Sequence, residues 1–262
     1  MTDKSLDGHH ALVTGAGSGI GAATALALAR AGARVSLAGR RRIPLEDVAR
    51  GMPKGSAAVI DAFDVTSETA VSGGVERAHS ALGPVTILIN NAGEAPSAPF
   101  EKTDPGLWSR TLAVNLNGAY LVSRAVVADL KARGDGARLI NIASTAALVG
   151  YPYVAAYCAA KHGLIGLTRA LALELAKTGV TVNAVCPGFT ETPLVQRAVE
   201  TIVAKTGRSE AGAKAELAES NPQGRLVRPE EVAAAVLWLA SPDAASINGQ
   251  AIVVAGGEVM VG

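Results

Sequence analysis

The chain has 262 residues, of which 49% are hydrophobic and 18% charged, with a formal net charge of +1. That balance provides for a sizeable core and excludes a disordered chain. Acids and bases are mixed along the sequence without a basic stripe, which excludes a nucleic-acid binder. Aromatic residues make up only 3%, so the core must be built from Ala, Val, Leu and Ile, as in helix-covered parallel sheets. The most apolar stretch, 146–160, is interrupted by Gly150 and Pro152 and is too short to span a membrane. Met1, Thr2, Asp3, Lys4 and Ser5 carry no apolar signal core. Cys158 and Cys186 have neither CxxC nor metal-ligand spacing. A reduced, cytoplasmic protein without a metal is the resulting expectation.

In chain order, the pattern predicts strands at 10–14 and 34–38, with His9 and His10 as surface residues leading into the first, and a helix at 20–31 between the two strands. A strand at 57–63, a helix at 68–82, a strand at 86–89 and one long helix at 105–132 follow. Then come a strand at 137–142, a helix at 155–177, a strand at 180–185, a helix at 229–240 and a last strand at 250–254. Strands separated by helices of this length read as βαβ units and hence a parallel sheet. No linker and no repeat divides the chain. The prediction is a single-domain α/β fold over 1–262, a doubly wound, Rossmann-like parallel sheet with helices on both faces. The polar, helix-prone segment 189–228 follows a strand's carboxyl end, where open α/β sheets bind ligands. It reads as a substrate lid, the alternative being a solvated helical hairpin.

Between the first strand and its helix lies Thr14-Gly15-Ala16-Gly17-Ser18-Gly19-Ile20-Gly21. Glycines permit a tight turn and let backbone N–H groups approach a pyrophosphate at the positive end of a helix. The spacing is GxxxGxG, not GxGxxG, because Ile occupies position 20. Gly15, Gly19 and Gly21 form the frame, with Ser18 and Ile20 between them. Such a turn alone is often only a turn, and its place at the head of a βαβ series is what makes it a dinucleotide site. An NAD site commonly has an acid about twenty residues further on. Here the second strand ends Leu37-Ala38-Gly39-Arg40, and no acid occurs before Glu46. Arg40 offers a planar cationic fork to a 2′-phosphate, so NADP(H) is preferred over NAD(H). Arg42 fits a solvated basic loop better.

Tyr157 and Lys161 are one helical turn apart and share a face. An ammonium near a phenol favours the phenolate and is expected to lower the tyrosine from its usual pKa of about 10. The phenol then serves as general acid in reduction or general base in oxidation. Ser144, just after the fifth strand, has a hydroxyl that can bond the reacting oxygen.

These residues, together with Asp64-Val65, Asn90-Asn91-Ala92-Gly93, Asn115 and Pro187-Gly188, resemble the short-chain dehydrogenase/reductase family from Ala11 to about Gly257. The resemblance implies an active site of Ser144, Tyr157 and Lys161, with Asn115 completing a proton relay. It also implies that Asp64 and Val65 flank the adenine, and that Asn91, Ala92 and Gly93 run under the cofactor. Pro187, Gly188 and Thr190 would border the nicotinamide, and Lys161 would bond the nicotinamide ribose. One departure is Ala255-Gly256-Gly257 where the family often has Asp-Gly-Gly, which touches only local packing. Another is Ser18, where many NADP-using relatives carry a basic residue, leaving Arg40 to act largely alone.

The implied reaction interconverts a ketone and a secondary alcohol. The sequence is similar to ketoreductases of 3-oxoacyl thioesters and polyketides and to 3-hydroxybutyrate dehydrogenases. Residues to hold a small carboxylate are absent at Glu94 and Thr145, which favours a 3-oxoacyl thioester reductase or 3-hydroxyacyl dehydrogenase. A dehydrogenase of small or cyclic secondary alcohols is the alternative. A catalytically silent nucleotide sensor or scaffold would be expected to lack a catalytic residue, and none is missing. The family's tetramers, and the small apolar residues Ala156, Ala160, Gly163 and Leu167, point to a homotetramer.

Overall fold

Runs of Val, Ile and Leu alternate with longer stretches rich in Ala and Leu, and the chain folds accordingly. The elements are β1 (His10–Thr14), α1 (Gly19–Arg30), β2 (Arg34–Ala38), α2 (Arg42–Arg50), β3 (Ala57–Ile60), α3 (Glu68–Leu82), β4 (Ile87–Asn90) and α4 (Pro105–Leu112). They continue with a π-helical turn (Ala113–Asn117), α5 (Gly118–Arg133), β5 (Arg138–Ile142), α6 (Ala155–Leu175), β6 (Thr181–Pro187), α7 (Pro193–Thr206), α8 (Glu210–Ala218), α9 (Pro229–Ala240) and β7 (Ala251–Val254). This computed structural model describes residues 5–260, so four of the five N-terminal residues read for a signal segment lie outside the described residues.

All strand pairs are parallel, in the order β3-β2-β1-β4-β5-β6-β7. The chain reverses its direction of growth between β1 and β4, and the crevice at their carboxyl ends is where such sheets take ligands. Successive β1 residues serve opposite layers. Ala11 and Val13 join Ala25 and Leu28 of α1 and Val232 and Val236 of α9. Leu12 joins Val71 and Val75 of α3, and Val122 and Val126 of α5. Burial on both faces explains why the strands are almost continuously apolar. Among the described residues no helix is long and apolar enough to cross a membrane.

The structure corrects the sequence reading in four places. The third strand ends at Ile60, not at 63, because Ala62 takes a left-handed φ of 50° and turns Phe63 out of the sheet. That ring packs so tightly on α3 that a Cβ on Gly74 would lie 2.2 Å from it. Helix α2 was not foreseen. Its Pro44 falls in the first turn, where the missing N–H costs nothing. The long helix predicted at 105–132 is divided by the π turn. Finally, His9 and His10 are not surface residues but are 8% and 2% exposed.

Both imidazoles are buried because each finds partners. His9 Nδ1 meets Thr86 Oγ1 at 3.1 Å, and His10 Nδ1 and Nε2 meet Gly83 O at 2.7 Å and Ser36 Oγ at 2.8 Å. A neutral His10 donates from Nδ1 to the carbonyl and accepts at Nε2 from the serine. Burial lowers both pKa values from the usual 6.5, and the nearby charges of Arg133 and Arg138 push His9 further down. The unfolded imidazoles therefore bind protons at a pH where the folded ones do not, and stability falls as pH drops through about 6.5. Melting curves recorded from pH 8 to pH 5 are expected to show Tm declining below about 6.5. A flat Tm across that interval would contradict this assignment.

Candidate active site

The glycine turn is shaped by a second segment. Gly15 has a φ of 64°, and a Cβ there would lie 2.9 Å from Asn91 Nδ2. A Cβ on Gly21 would lie 2.4 Å from Gly15 O and 2.5 Å from Asn91 Nδ2. Asn91 Nδ2 donates to Thr14 O at 2.9 Å and Gly15 O at 3.2 Å. Thr14 Oγ1 in turn accepts from the backbone N–H groups of Asn91 and Ala92, at 2.9 and 3.0 Å. Asn91 and Ala92 thus brace the turn from β4. Helix α1 begins without a side-chain cap from Ser18 and without an acid in its first turn. Its first N–H groups have no partner within the helix and stand at its positive end. This uncapped, glycine-lined terminus fits a pyrophosphate.

At the end of β2 the three arginines separate. Arg42 is exposed, as expected, but opens helix α2 instead of lying in a loop, and is bound to Glu46 at 2.7 Å and to Asp61 at 3.5 Å. Arg40 is exposed and joins none of the ion pairs among the described residues. Asp64 accepts from Thr66 N at 2.9 Å and Thr66 Oγ1 at 2.8 Å, which holds its carboxyl below the ordinary range, and the charge of Arg40 adds to that. Val65 is buried against the start of α5, where a Cβ on Gly118 would lie 2.7 Å away.

At the carboxyl ends of β5 and β6, α6 carries Tyr157 and Lys161. Lys161 is 4% exposed and donates from Nζ to Ile142 O at 2.8 Å. Its Nζ stands 5.6 Å from the centroid of the Tyr157 ring. Burial pushes the Tyr157 phenol up to about 12, against a smaller lowering by its hydrogen bond with Ser144, and burial brings Lys161 down to about 8. The lowering of Tyr157 expected from Lys161 is therefore not seen. The ammonium is itself desolvated and committed to the Ile142 carbonyl, so loss of water around the phenol prevails. Ser144 Oγ also accepts from Ala146 N at 3.1 Å.

Asn115 is buried in the π turn. Its Nδ2 donates to Thr111 O at 2.9 Å and Glu94 O at 2.8 Å, and its Oδ1 accepts from Glu94 N at 3.3 Å. Engaging the carbonyl four residues back is a known way to loosen a helix locally, and π turns gather at functional sites. A Cβ on Gly93 would lie 2.9 Å from Asn115 Oδ1 and 3.8 Å from Lys161 Nζ, so Gly93, Asn115 and Lys161 converge. Beyond β6, Gly188 N donates to Val254 O at 3.1 Å, and Thr190 Oγ1 donates to Gly188 O at 2.9 Å. Helix α7 starts against the glycine turn, with Thr192 Cγ2 3.0 Å from where a Cβ of Gly19 would stand.

The sequence reading passed over Thr14 as a support of the turn, although its place just before Gly15 was a signal. It also passed over Tyr151 and Glu258. The Tyr151 hydroxyl donates to Glu258 Oε1 and lies 2.9 Å from Thr145 Oγ1, a contact across 107 residues that no local pattern announces. The Ala255-Gly256-Gly257 departure packs soundly. Gly256 has a φ of 61° and lies against Asn221, whose Nδ2 donates to Arg225 O at 2.7 Å. Cys186 is fully buried and its thiol is pushed up to about 11 by burial, which suits a neighbour of the site and not a reacting group.

A glycine turn that fits a pyrophosphate and a half-buried tyrosine beside a buried lysine, on one edge of a parallel sheet, define a dinucleotide-dependent oxidoreductase. Residues 15–258 match the family model described as "Enoyl-(Acyl carrier protein) reductase", and the chain belongs to the short-chain dehydrogenase/reductase family. It is an oxidoreductase acting on the CH–OH group, interconverting ketone and alcohol, in a family that typically uses NAD(P). It is 38% identical to a D-beta-hydroxybutyrate dehydrogenase of Cupriavidus necator, across 93% of this chain and 95% of that protein. It is 39% identical to a cis-4-hydroxycyclohexanecarboxylate dehydrogenase of Sinomonas cyclohexanicum, across 96% of each. A variant of actinorhodin polyketide ketoreductase, crystallised with NADPH, superposes with a TM-score of 0.89 at 36% identity, covering 98% of this chain and 99% of that one.

Proposed function

We propose that the protein is an NADP(H)-dependent reductase of 3-oxoacyl thioesters, able to run in reverse as a 3-hydroxyacyl dehydrogenase. The observation that carries this is the pairing of Tyr157 with Ser144 at the carboxyl edge of the sheet. A phenol raised to about 12 stays protonated at neutral pH and is therefore poised to give a proton to a carbonyl oxygen. The nicotinamide, when bound, exchanges a hydride with the carbonyl carbon and in its oxidised form brings a positive charge. Ser144 orients the carbonyl oxygen, and Tyr157 protonates it. Lys161 holds the nicotinamide ribose and, with Asn115, links the tyrosine to water.

Gly15, Ser18, Gly19, Ile20 and Gly21 hold the pyrophosphate, Asp64 and Val65 the adenine, and Asn91, Ala92 and Gly93 the face beneath the cofactor. Pro187, Gly188 and Thr190 border the nicotinamide. The preference for NADP(H) rests on Arg40, unpaired where Arg42 is paired. Similarity to a polyketide ketoreductase and to a hydroxybutyrate dehydrogenase supports a 3-oxo or 3-hydroxy substrate. The segment 189–228 serves as the lid. Its α7 buries only Val199, and α8 only Ala213 and Ala218, so it is weakly anchored. The homotetramer and the cytoplasmic location complete the reading, the latter supported by two cysteines that remain unpaired.

The test follows NADPH absorbance at 340 nm with the N-acetylcysteamine thioester of acetoacetate and with cyclohexanone. Faster turnover of the thioester supports the reading, whereas turnover of cyclohexanone alone moves it to a cyclic secondary-alcohol dehydrogenase. Arg40→Ala is expected to raise KM for NADPH by about 10- to 100-fold, the worth of a charge-assisted hydrogen bond, and to leave KM for NADH nearly unchanged. An unchanged NADPH KM would remove Arg40 from the assignment.

A further inference from the structure

A second polar cluster stands at the same sheet edge and has no part in the proton transfer. Glu258 follows β7 and is half-buried. Its Oε1 accepts from the Tyr151 hydroxyl, and Tyr151 reaches back to Thr145, the residue next to Ser144. The Tyr151 ring meets Phe189 edge-on, with centroids 6.2 Å apart. The other carboxylate oxygen, Oε2, lies against Gly188, where a Cβ would stand 2.5 Å from it. This oxygen is shut off from solvent and has no hydrogen-bond partner among the described residues. Nor does Glu258 join any of their ion pairs. The ends of β5, β6 and β7 thus converge on one carboxylate that finds neither a cation nor a second donor among the described residues, and a buried acceptor without a donor is costly.

We propose that Glu258, braced by Tyr151 and Thr145, is a specificity-determining residue. Its carboxylate, which joins no ion pair among the described residues, disfavours by like-charge repulsion a substrate that carries a second carboxylate beside its reacting carbonyl. The proposal rests on the reading of Tyr157 and Ser144 as the carbonyl site. It narrows the substrate class to neutral 3-oxo compounds, thioesters among them, and sets free 3-oxo acids aside. An unpaired charge built into a site discriminates against the partner of like charge.

Acetoacetamide and acetoacetate share one carbon skeleton and differ at this flank. Their Kd values are measured by ligand-observed NMR on the intact protein saturated with NADP+, where no reduction occurs. The wild type is expected to bind the amide about tenfold more tightly than the anion, or better. Glu258→Gln is expected to shrink that ratio to about threefold or less, whereas Glu258→Asp, which keeps the charge, retains it. Glu258→Ala is the second neutral variant and should also lose the ratio. Equal binding of both ligands by the wild type, or an unchanged ratio in the folded neutral variants, overturns the proposal. If selective binding occurs but NADPH reduces neither the amide nor the acetoacetyl thioester, the carbonyl-reductase reading fails and the subsite stands. If reduction proceeds while the ratio ignores position 258, the subsite fails and the reductase reading stands.

Discussion

Tyr157→Phe is expected to reduce kcat by about 10²- to 10⁴-fold, the usual worth of a positioned general acid, while Kd for NADPH changes little. On the proposed mechanism the hydroxyl it removes is the one that gives its proton to the carbonyl oxygen, and it is hydrogen-bonded to Ser144. Lys161 does not simply replace it, because its ammonium is held at Ile142 O, 5.6 Å from the centroid of the Tyr157 ring. Ser144 keeps its bond from Ala146 N, so the local backbone has no reason to move. The combination of lost turnover with retained binding separates a chemical role from a structural one. Fluorescence titration with NADPH alongside steady-state rates measures both. A mutant retaining a tenth or more of wild-type kcat would require another proton donor.

Gly21→Ala is the second large effect. The new methyl would stand 2.4 Å from Gly15 O and 2.5 Å from Asn91 Nδ2, and neither can retreat. The first is backbone, and the second is the amide that ties the turn to β4 through Thr14 O and Gly15 O. The turn must open, which withdraws the α1 amides from the place they offer a phosphate. Overpacking of this kind costs about 1–3 kcal/mol, or a Tm loss of roughly 2–12 °C for a chain of this size. NADPH Kd is expected to rise at least about tenfold on top of that. Gly73→Ala provides the contrast, since its Cβ meets only an Arg77 guanidinium nitrogen at 3.9 Å and alanine favours the helix. Its Tm should hold or rise. Equal NADPH affinity in Gly21→Ala and the wild type would mean that the turn does not bind the cofactor.

Much of this architecture can be read from the sequence because it is locally encoded. The bounds of β1, β2, α3 and α9 follow from hydrophobic runs that end at glycine, a cap or a change of period. The glycine turn and the Tyr157–Lys161 pair are likewise patterns within a few residues. What escapes is what depends on distant partners. His10 looks polar and exposed until Ser36 and Gly83 are beside it. The π turn is invisible to periodicity because the Asn115 bonds within it, to Thr111 O and to Glu94, depend on the folded site and not on hydrophobic spacing. The acidity of Tyr157 was misjudged because spacing counts neighbours and not lost water. Glu258 was missed altogether, since only the folded sheet brings it to Tyr151.

The hydrogen bonds between Thr14 and the Asn91-Ala92 pair carry a consequence for assembly. The glycine motif lies wholly within the first 21 residues, yet its shape is held by amides donated 77 and 78 positions later. Those bonds exist only when β4 has docked on β1, which closes the sheet across its reversal point. With the turn as the proposed phosphate site, nucleotide affinity becomes a property of the completed β1–β4 junction. During synthesis or refolding, the cofactor can stabilise only chains that have already brought the two halves of the sheet together.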